Sequence, residues 1–438
     1  MALHQPPAKQ VVVVGAGFGG LQLVKRLQGA PVRITLIDQH NHHLFQPLLY
    51  QAATAVLAPS EIAWPIREMF RGRSDVEVVL DTVVGVDRDE RRVLLAESQP
   101  VPFDILVLAT GATHAYFGHP EWERFAPGLK TIDDATAIRR RILMALEEAD
   151  RSTDEARRRT LLSFAIVGAG PTGVELAGMI AELTRTVLPA EYRRIDTRQA
   201  RIILVEAGNR ILNGFDENLA AFAERALTKL GVEVRLGQPV TDVSKPGIVV
   251  GKEHINAGTV LWAAGVQASP AAEWLGVPAD RSGRVTVSPH LSLQDDENIF
   301  VIGDTARVAW HDRTVPGIAP AAKQEGAYVA GLIRKRLAGE RDVEPFRYRH
   351  QGDLATIGRG DAIVDFGRIK LKGVLAWWLW GVAHIYFLIG GRSRLAVALS
   401  WLWHFFRHRP SAQLITHKDA AERRMRLGRA DDLDPKKT

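Results

Sequence analysis

The chain has 438 residues, a formal net charge of +6 and no cysteine. Its length allows two or three domains with ample cores, and 24% charged residues among 46% hydrophobic ones describe a globular chain, not a disordered one. Without thiols there are no disulfides, thiolate metal sites or thiol relays, so any redox chemistry falls to a bound organic cofactor.

The basic balance is local. From Arg392 to Arg429, nine Lys or Arg face only two acids, Asp419 and Glu422, which leaves the body near neutrality. Residues 1–10 are polar and run straight into the first strand, so no secretory signal is expected. No nucleic-acid partner is expected either.

Residues 11–14, four valines, read as a buried parallel strand that Gly15-Ala16-Gly17-Phe18-Gly19-Gly20 turns into a helix. Gly15 permits the tight turn, Gly17 lets a pyrophosphate approach the backbone, and Gly20 lets helix and strand pack closely. A strand predicted over residues 32–38 ends in Asp38, 23 residues after Gly15, where a carboxylate can accept hydrogen bonds from a ribose. The segment His42-His43-Leu44-Phe45-Gln46-Pro47-Leu48-Leu49-Tyr50-Gln51 is too apolar for a solvated connection and reads as a core-packing loop. Its histidines, with His40, have no matching ligand cluster at a usable spacing, so no metal is expected. Residues 76–86 and 92–95 read as antiparallel strands. A buried strand over residues 103–108 ends in Ala109-Thr110-Gly111, small enough for backbone to pass close to a ligand. A helix is predicted over residues 133–148, capped by Asp133 or Asp134.

Phe164-Ala165-Ile166-Val167-Gly168-Ala169-Gly170-Pro171-Thr172-Gly173 repeats the device 153 residues after the first copy. One such match is weak; two in strand-turn-helix settings point to two bound dinucleotides. The helix is predicted over residues 173–187 and the next strand over 201–206, ending in Glu206, 38 residues after Gly168. An acid there accepts adenosine ribose hydroxyls and repels a 2′-phosphate, which favours NADH over NADPH, with Arg210 weakening the preference slightly. A helix over residues 216–230 and strands over 232–236 and 259–265 follow, the last ending in Ala263-Ala264-Gly265. The strand over residues 299–304 ends in Gly303-Asp304, before a helix over 319–336.

Residues 373–391 form a run of 19 without a formal charge and hold Trp377, Trp378, Trp380 and His384. That length barely reaches a spanning helix, and the second apolar run, residues 395–406, is too short. Tryptophans beside Arg392, Arg394, Arg407 and Arg409 describe amphipathic segments lying in the headgroup layer of an anionic membrane. A true span and a soluble or dimer-forming core are the alternatives.

The two glycine fingerprints, with Ala109-Thr110-Gly111, Ala263-Ala264-Gly265 and Ile302-Gly303-Asp304, resemble the pyridine-nucleotide flavoprotein reductases. Phe45-Gln46-Pro47-Leu48-Leu49-Tyr50 and Leu371-Lys372-Gly373, with Trp377, Trp380 and His384, narrow the resemblance to type II NADH:quinone oxidoreductases over residues 10–410. The resemblance implies an α/β protein with two Rossmann-like dinucleotide-binding domains, the second inserted in the first. FAD would be held by residues 8–120 and 269–345 and NADH by 121–268, with a membrane-association region over 346–410 and a basic polar tail over 411–438. Implied FAD contacts are Gly15, Gly17, Phe18, Gly19, Gly20, Asp38, Gln46, Pro47, Thr110, Gly111, Gly303, Asp304, Ala322 and Lys323. Implied NADH contacts are Gly168, Gly170, Pro171, Thr172, Gly173, Glu206, Ala264 and Gly265.

Glu175 would face the contact between nicotinamide and flavin, although an acid near a helix N-terminus is favourable without any such role. Gln324, Lys372 and His384 would border the quinone; the plainer reading of Lys372 is a lysine snorkelling at an interface. One departure stands out: the family's Ala-Gln-x-Ala-x-Gln segment here reads Ala319-Pro320-Ala321-Ala322-Lys323-Gln324. The implied activity is oxidation of NADH through FAD with two-electron reduction of a membrane quinone, without proton pumping. The implied location is the cytoplasmic side of the inner membrane, with a homodimer as an open option. Absence of cysteine sets aside disulfide reductases, NADH peroxidases and sulfide:quinone reductases. A ferredoxin or rubredoxin reductase and a membrane-bound redox sensor are the competing readings.

Overall fold

The computed structural model describes residues 8–244, 246–340, 342–407 and 412–415, so most of the expected basic tail and Arg409 lie outside the described residues. The chain opens with β1 (Lys9–Val14), α1 (Phe18–Arg26), β2 (Val32–Asp38), the short α2 (Leu49–Ala53), β3 (Val76–Leu80) and β4 (Ile105–Leu108). β5 (Ala112–His114) and the long α3 (Ile132–Arg151) lead to β6 (Ser163–Val167), α4 (Pro171–Glu182), β7 (Arg201–Val205), α5 (Glu217–Lys229), β8 (Val232–Arg235) and β9 (Thr259–Trp262). The chain returns through β10 (Val266–Ala268), β11 (Ile299–Val301) and α6 (Ala319–Leu337). It continues as β12 (Asp353–Ile357), β13 (Asp361–Asp365), β14 (Lys370–Lys372), α7 (Val374–Phe387) and α8 (Gly391–Arg407).

Two parallel sheets organise these elements. The first has the order β11-β4-β1-β2-β3 and the second β8-β7-β6-β9. Parallel strands covered on both faces need apolar side chains in both directions. Val11 to Val13 and Phe164 to Ile166 accordingly have no exposed surface. β5 and β10 pair antiparallel, Ala112 opposite Ala268, so the chain leaves the first unit and re-enters it along one ribbon. β12, β13 and β14 form an antiparallel sheet packed on α4 and α5.

The structure corrects several local expectations. Residues 76–80 are not part of an antiparallel pair: β3 extends the first parallel sheet, and only Val83–Asp87 pairs antiparallel with Arg92–Leu95. Asp81 makes the break, its carboxylate accepting the N–H groups of Thr82, Glu97 and Ser98. The apolar segment after β2 is not a loop but a short strand, a 3-10 turn and α2, with Leu48, Leu49 and Tyr50 buried. The cap of α3 is Thr131, whose hydroxyl accepts from Asp134 N while the Asp134 carboxylate accepts from Thr131 N. α4 is α-helical only to Glu182 and passes into a π-turn over Leu183–Val187.

No described helix is long and apolar enough to cross a membrane. The uncharged run instead forms α7, broken from α8 around Gly390. Ala376, Trp380, Leu388 and Val397 are buried against the body. On the other side Leu375, Trp378, Val382 and Tyr386 of α7, and Leu395, Leu399, Leu402 and Trp403 of α8, are more than half exposed. Those spacings of three and four residues define one helical face on each. The expected spanning alternative is thereby replaced by two helices lying on the surface with an apolar side outward.

Candidate active site

Both glycine turns are built alike, and the three glycines of each divide the work. Gly15 has φ +100°, and a Cβ there would sit 2.3 Å from Ala109 O. Gly168 has φ +99°, and its Cβ would meet Ala264 Cα at 2.4 Å. A Cβ on Gly20 or Gly173 would lie 1.9 Å from the carbonyl of Gly15 or Gly168. Around Gly17 and Gly170, by contrast, a Cβ would meet nothing within 4 Å. The outer glycines are packed against protein, and the middle one borders open space at a helix N-terminus, which is where the phosphates of a dinucleotide fit.

The acids at the ends of β2 and β7 also match. Asp38 Oδ2 accepts from Ala16 N at 2.6 Å and Oδ1 from His40 N at 2.7 Å. Glu206 Oε2 accepts from Ala169 N at 2.8 Å and Oε1 from Gly208 N at 2.9 Å. Each carboxylate therefore braces its own glycine turn and keeps lone pairs for a ribose. Arg210 is drawn away from Glu206, donating to Asn213 O at 2.9 Å and lying 3.5 Å from Glu217.

Three segments of the first unit converge beside its turn. Thr110 Oγ1 lies 2.5 Å from Ser269 Oγ and 3.1 Å from Thr305 Oγ1, and Thr305 donates to Gly111 O at 2.9 Å. Gly303 N donates to Glu325 Oε2 at 2.5 Å, and burial with nearby Asp304 pushes the Glu325 carboxyl up to about 8. Ala322 and Lys323 lie near the start of α6, the Ala322 carbonyl 3.2 Å from where a Cβ on Gly19 would stand.

An aromatic line leads from this turn to the C-terminal helices. Phe18 meets His43 at 5.1 Å and Phe45 at 5.7 Å, Phe45 meets His384 at 6.2 Å, and His384 stacks on Trp380 at 4.2 Å. His384 Nδ1 pairs with Trp380 O at 2.8 Å, and desolvation lowers the imidazole to about 4, so it is neutral at ordinary pH. His43 is neutral for the same reason, its Nδ1 held by Ala16 O.

The residues of the chain match the family model of the pyridine nucleotide-disulphide oxidoreductases over 9–326 and that of the NDH2 C-terminal domain over 350–410. The type II NADH:quinone oxidoreductase Ndh of Mycobacterium tuberculosis is 43% identical over 96% of this chain and 93% of its own length. The chain belongs to the type II NADH:quinone oxidoreductases. Its Staphylococcus aureus relative of the same name is 33% identical over 82% of this chain and 90% of its own. The fold matches NDH2 of Plasmodium falciparum, solved in complex with NADH, at a TM-score of 0.84 and 20% identity, covering 92% of this chain and 99% of that one. Members of this family depend on FAD, and the open first turn with the Thr110, Gly303 and Glu325 cluster has the chemistry to hold it.

Within this oxidoreductase the predicted site residues do not all converge. Glu175 is buried in α4, where burial pushes its carboxyl well above the usual range against a hydrogen bond from the Thr356 backbone. Gln46 donates to Lys130 O at 3.2 Å, beside Pro47. Gln324 has both ends of its amide engaged by the backbone of Arg349, at 2.9 and 3.0 Å. Lys372 is exposed, its Nζ 5.7 Å from the Phe222 ring on α5, while Lys323 Nζ lies 4.9 Å over Phe387. Exposed Pro171 and Thr172 rim the second turn, with Ala264 and Gly265 beside it. Phe117, left-handed at φ 50° and exposed, lies against Gly265 and was not foreseen. Nor was Tyr50, buried beside Glu175, although its place in an apolar segment was a signal.

Proposed function

We propose that this chain oxidises NADH at the second glycine turn and reduces a quinone that reaches the first unit from the side of α7 and α8. The observation that carries it is the pair of open middle glycines, Gly17 and Gly170, together with an aromatic line that leads from the first turn to an exposed apolar face. Bound FAD supplies the two-electron carrier between nicotinamide and quinone. The protein's own work is to hold and exclude. Gly15 to Gly20 with Asp38, and Gly168 to Gly173 with Glu206, fix the two nucleotides, which converts a bimolecular exchange into an oriented one. Phe45, His384 and Trp380 keep water from the quinone side, and a neutral His384 offers that quinone no fixed charge. Glu175, whose affinity for a proton burial raises, is the group placed to hold one near the second turn.

The exposed faces of α7 and α8 rest on an anionic lipid surface, with Arg394 and Lys323 at their edge, on the cytoplasmic side of the membrane. A second copy of the chain is the competing occupant, and sedimentation with and without anionic vesicles separates the two. The function is tested by the absorbance of the purified protein. A flavin spectrum that NADH bleaches and a quinone analogue restores is expected; a colourless protein that takes up no flavin overturns the assignment.

A further inference from the structure

Seven residues beyond Glu175, on the same helix, lies a second buried acid that the proposed reaction has not used. Glu182 is buried with its Oε1 3.5 Å from Arg359 Nε, while its Oε2 has no hydrogen-bond partner among the described residues. Burial raises its carboxyl, and Arg359 only partly restores the charged form. A Cβ on Gly358, at φ +62°, would stand 3.5 Å from that orphaned Oε2. Gly358 and Arg359 are one wall of a cavity of about 30 Å³, whose other walls include Tyr50, Thr356, Trp380 and Trp401. Trp380 Nε1 is also buried without a partner. A cavity needs roughly 10–15 Å³ to hold one water, so this one has room for water against the unsatisfied Trp380 donor and beside Gly358, which separates it from the unsatisfied Glu182 acceptor.

The cavity ends at a hydroxyl relay. Tyr50 OH accepts from Gln51 Nε2 at 3.1 Å and lies 2.9 Å from Thr356 Oγ1, and the Thr356 backbone holds Glu175. The Tyr50 hydroxyl feels the charge of both acids, Glu175 and Glu182. The charged and titratable groups facing Glu182 are thus Arg359 from the turn between β12 and β13, Tyr50 from α2, and Glu175 from its own helix.

The stoichiometry gives this arrangement a task. NADH, a quinone and one proton yield NAD⁺ and a quinol: the bond broken at the nicotinamide supplies two electrons and one proton, and the second proton comes from water. We propose that Glu182, paired with Arg359 and adjoining the cavity through the Gly358–Arg359 wall, is the inlet through which that second proton reaches Tyr50, Thr356 and Glu175. This rests on the reading that the chain reduces a quinone and that Glu175 is its proton holder. Glu182 is a relay residue and touches neither substrate.

The test compares the wild type with Glu182→Gln and Glu182→Asp in the flavin-loaded full chain, using a quinone analogue and ferricyanide, which takes electrons without protons. Glu182→Gln is expected to slow quinone turnover about tenfold or more, most strongly at high pH. Ferricyanide turnover and the bleaching of flavin by NADH should stay unchanged, and Glu182→Asp should recover part of the quinone rate. Without turnover, infrared spectra should show the protonated carboxyl stretch of Glu175 exchanging more slowly in D₂O when Glu182 is Gln. Equal quinone rates and pH profiles overturn the inlet, as does equal loss with both acceptors. A flavin-loaded wild type that turns over ferricyanide but no quinone overturns the functional reading instead.

Discussion

The indole N–H of Trp401 donates to Gln51 Oε1 at 2.7 Å across 350 residues of sequence, tying the surface helix α8 to the buried helix α2. Ser400 adds a bond to Glu61 one residue earlier. α8 is therefore attached to the wall of the active region by two side-chain hydrogen bonds, from Trp401 and Ser400.

Trp401→Phe should remove that donor and leave a buried Gln51 oxygen unsatisfied, at a cost of about 1–3 kcal/mol. The expected result is a lower melting temperature and reduced quinone turnover with retained flavin, read by differential scanning fluorimetry and steady-state kinetics.

Gly17 and Gly170 border open space, so valine there should fold but fill the phosphate cradle. Gly17→Val should yield protein without flavin. Gly170→Val should keep its flavin and raise the KM for NADH about tenfold or more, since roughly 1.4 kcal/mol of lost binding suffices. Absorbance of the purified variants and titration with NADH measure both. Gly15→Ala, with its Cβ forced to 2.3 Å from Ala109 O, should fail to fold instead.

Glu206 accepts two backbone N–H groups, and hydrogen bonds to a charged group contribute about 1.5–3 kcal/mol each. Glu206→Ala should lower stability as well as raise the KM for NADH and narrow the preference over NADPH. Glu206→Gln keeps one acceptor and should lose less of both. Kinetics with the two nucleotides, beside thermal unfolding, check the pair of effects.

Glu325 is raised from 4.5 to about 8 in the folded chain. A carboxyl raised on folding contributes stability that is fully present below the unfolded value near 4.5 and is lost as pH rises through 8. Glu325→Gln should flatten the dependence of melting temperature on pH across that window, and should hold flavin less tightly above pH 7 only if the bond to Gly303 N weakens. Thermal unfolding at a series of pH values tests the sign.

Leu399→Glu combined with Trp403→Glu places two charges on the exposed face of α8 without touching its buried residues. Cosedimentation with anionic vesicles should fall several-fold, with ferricyanide turnover unchanged. Removal of the whole of α7 and α8 is a poorer probe, because Ala376, Trp380, Leu388 and Val397 are part of the core.

What could be read from the chain alone follows from how local each signal is. The strands of both parallel sheets, apart from β3, and the glycine turns were legible, because continuous valine and isoleucine runs and glycine spacing are properties of neighbouring residues. Thr131 was legible too, in the spacing from Thr131 to Asp134, but Asp133 and Asp134 drew the assignment away from it. The bracing of the turns by Asp38 and Glu206 was not legible, since an acid at a strand end reads alike whether it faces ligand or backbone. For Gln324 and Lys372 the family likeness implied a role, whereas their protein neighbours are visible only in the fold: one is bound to Arg349 and the other lies over Phe222. Glu182 and Arg359 stand 177 residues apart, and no periodicity links them.

The ribbon of β5 and β10 joins the two units beside both glycine turns. Thr110 and Gly111 precede one strand, Ala264 and Gly265 precede the other, and Ser269 N reaches back to Gly111 O. A rotation of one unit against the other would thus pivot between the half built on the first glycine turn and the half built on the second. The two cradles cannot then drift independently.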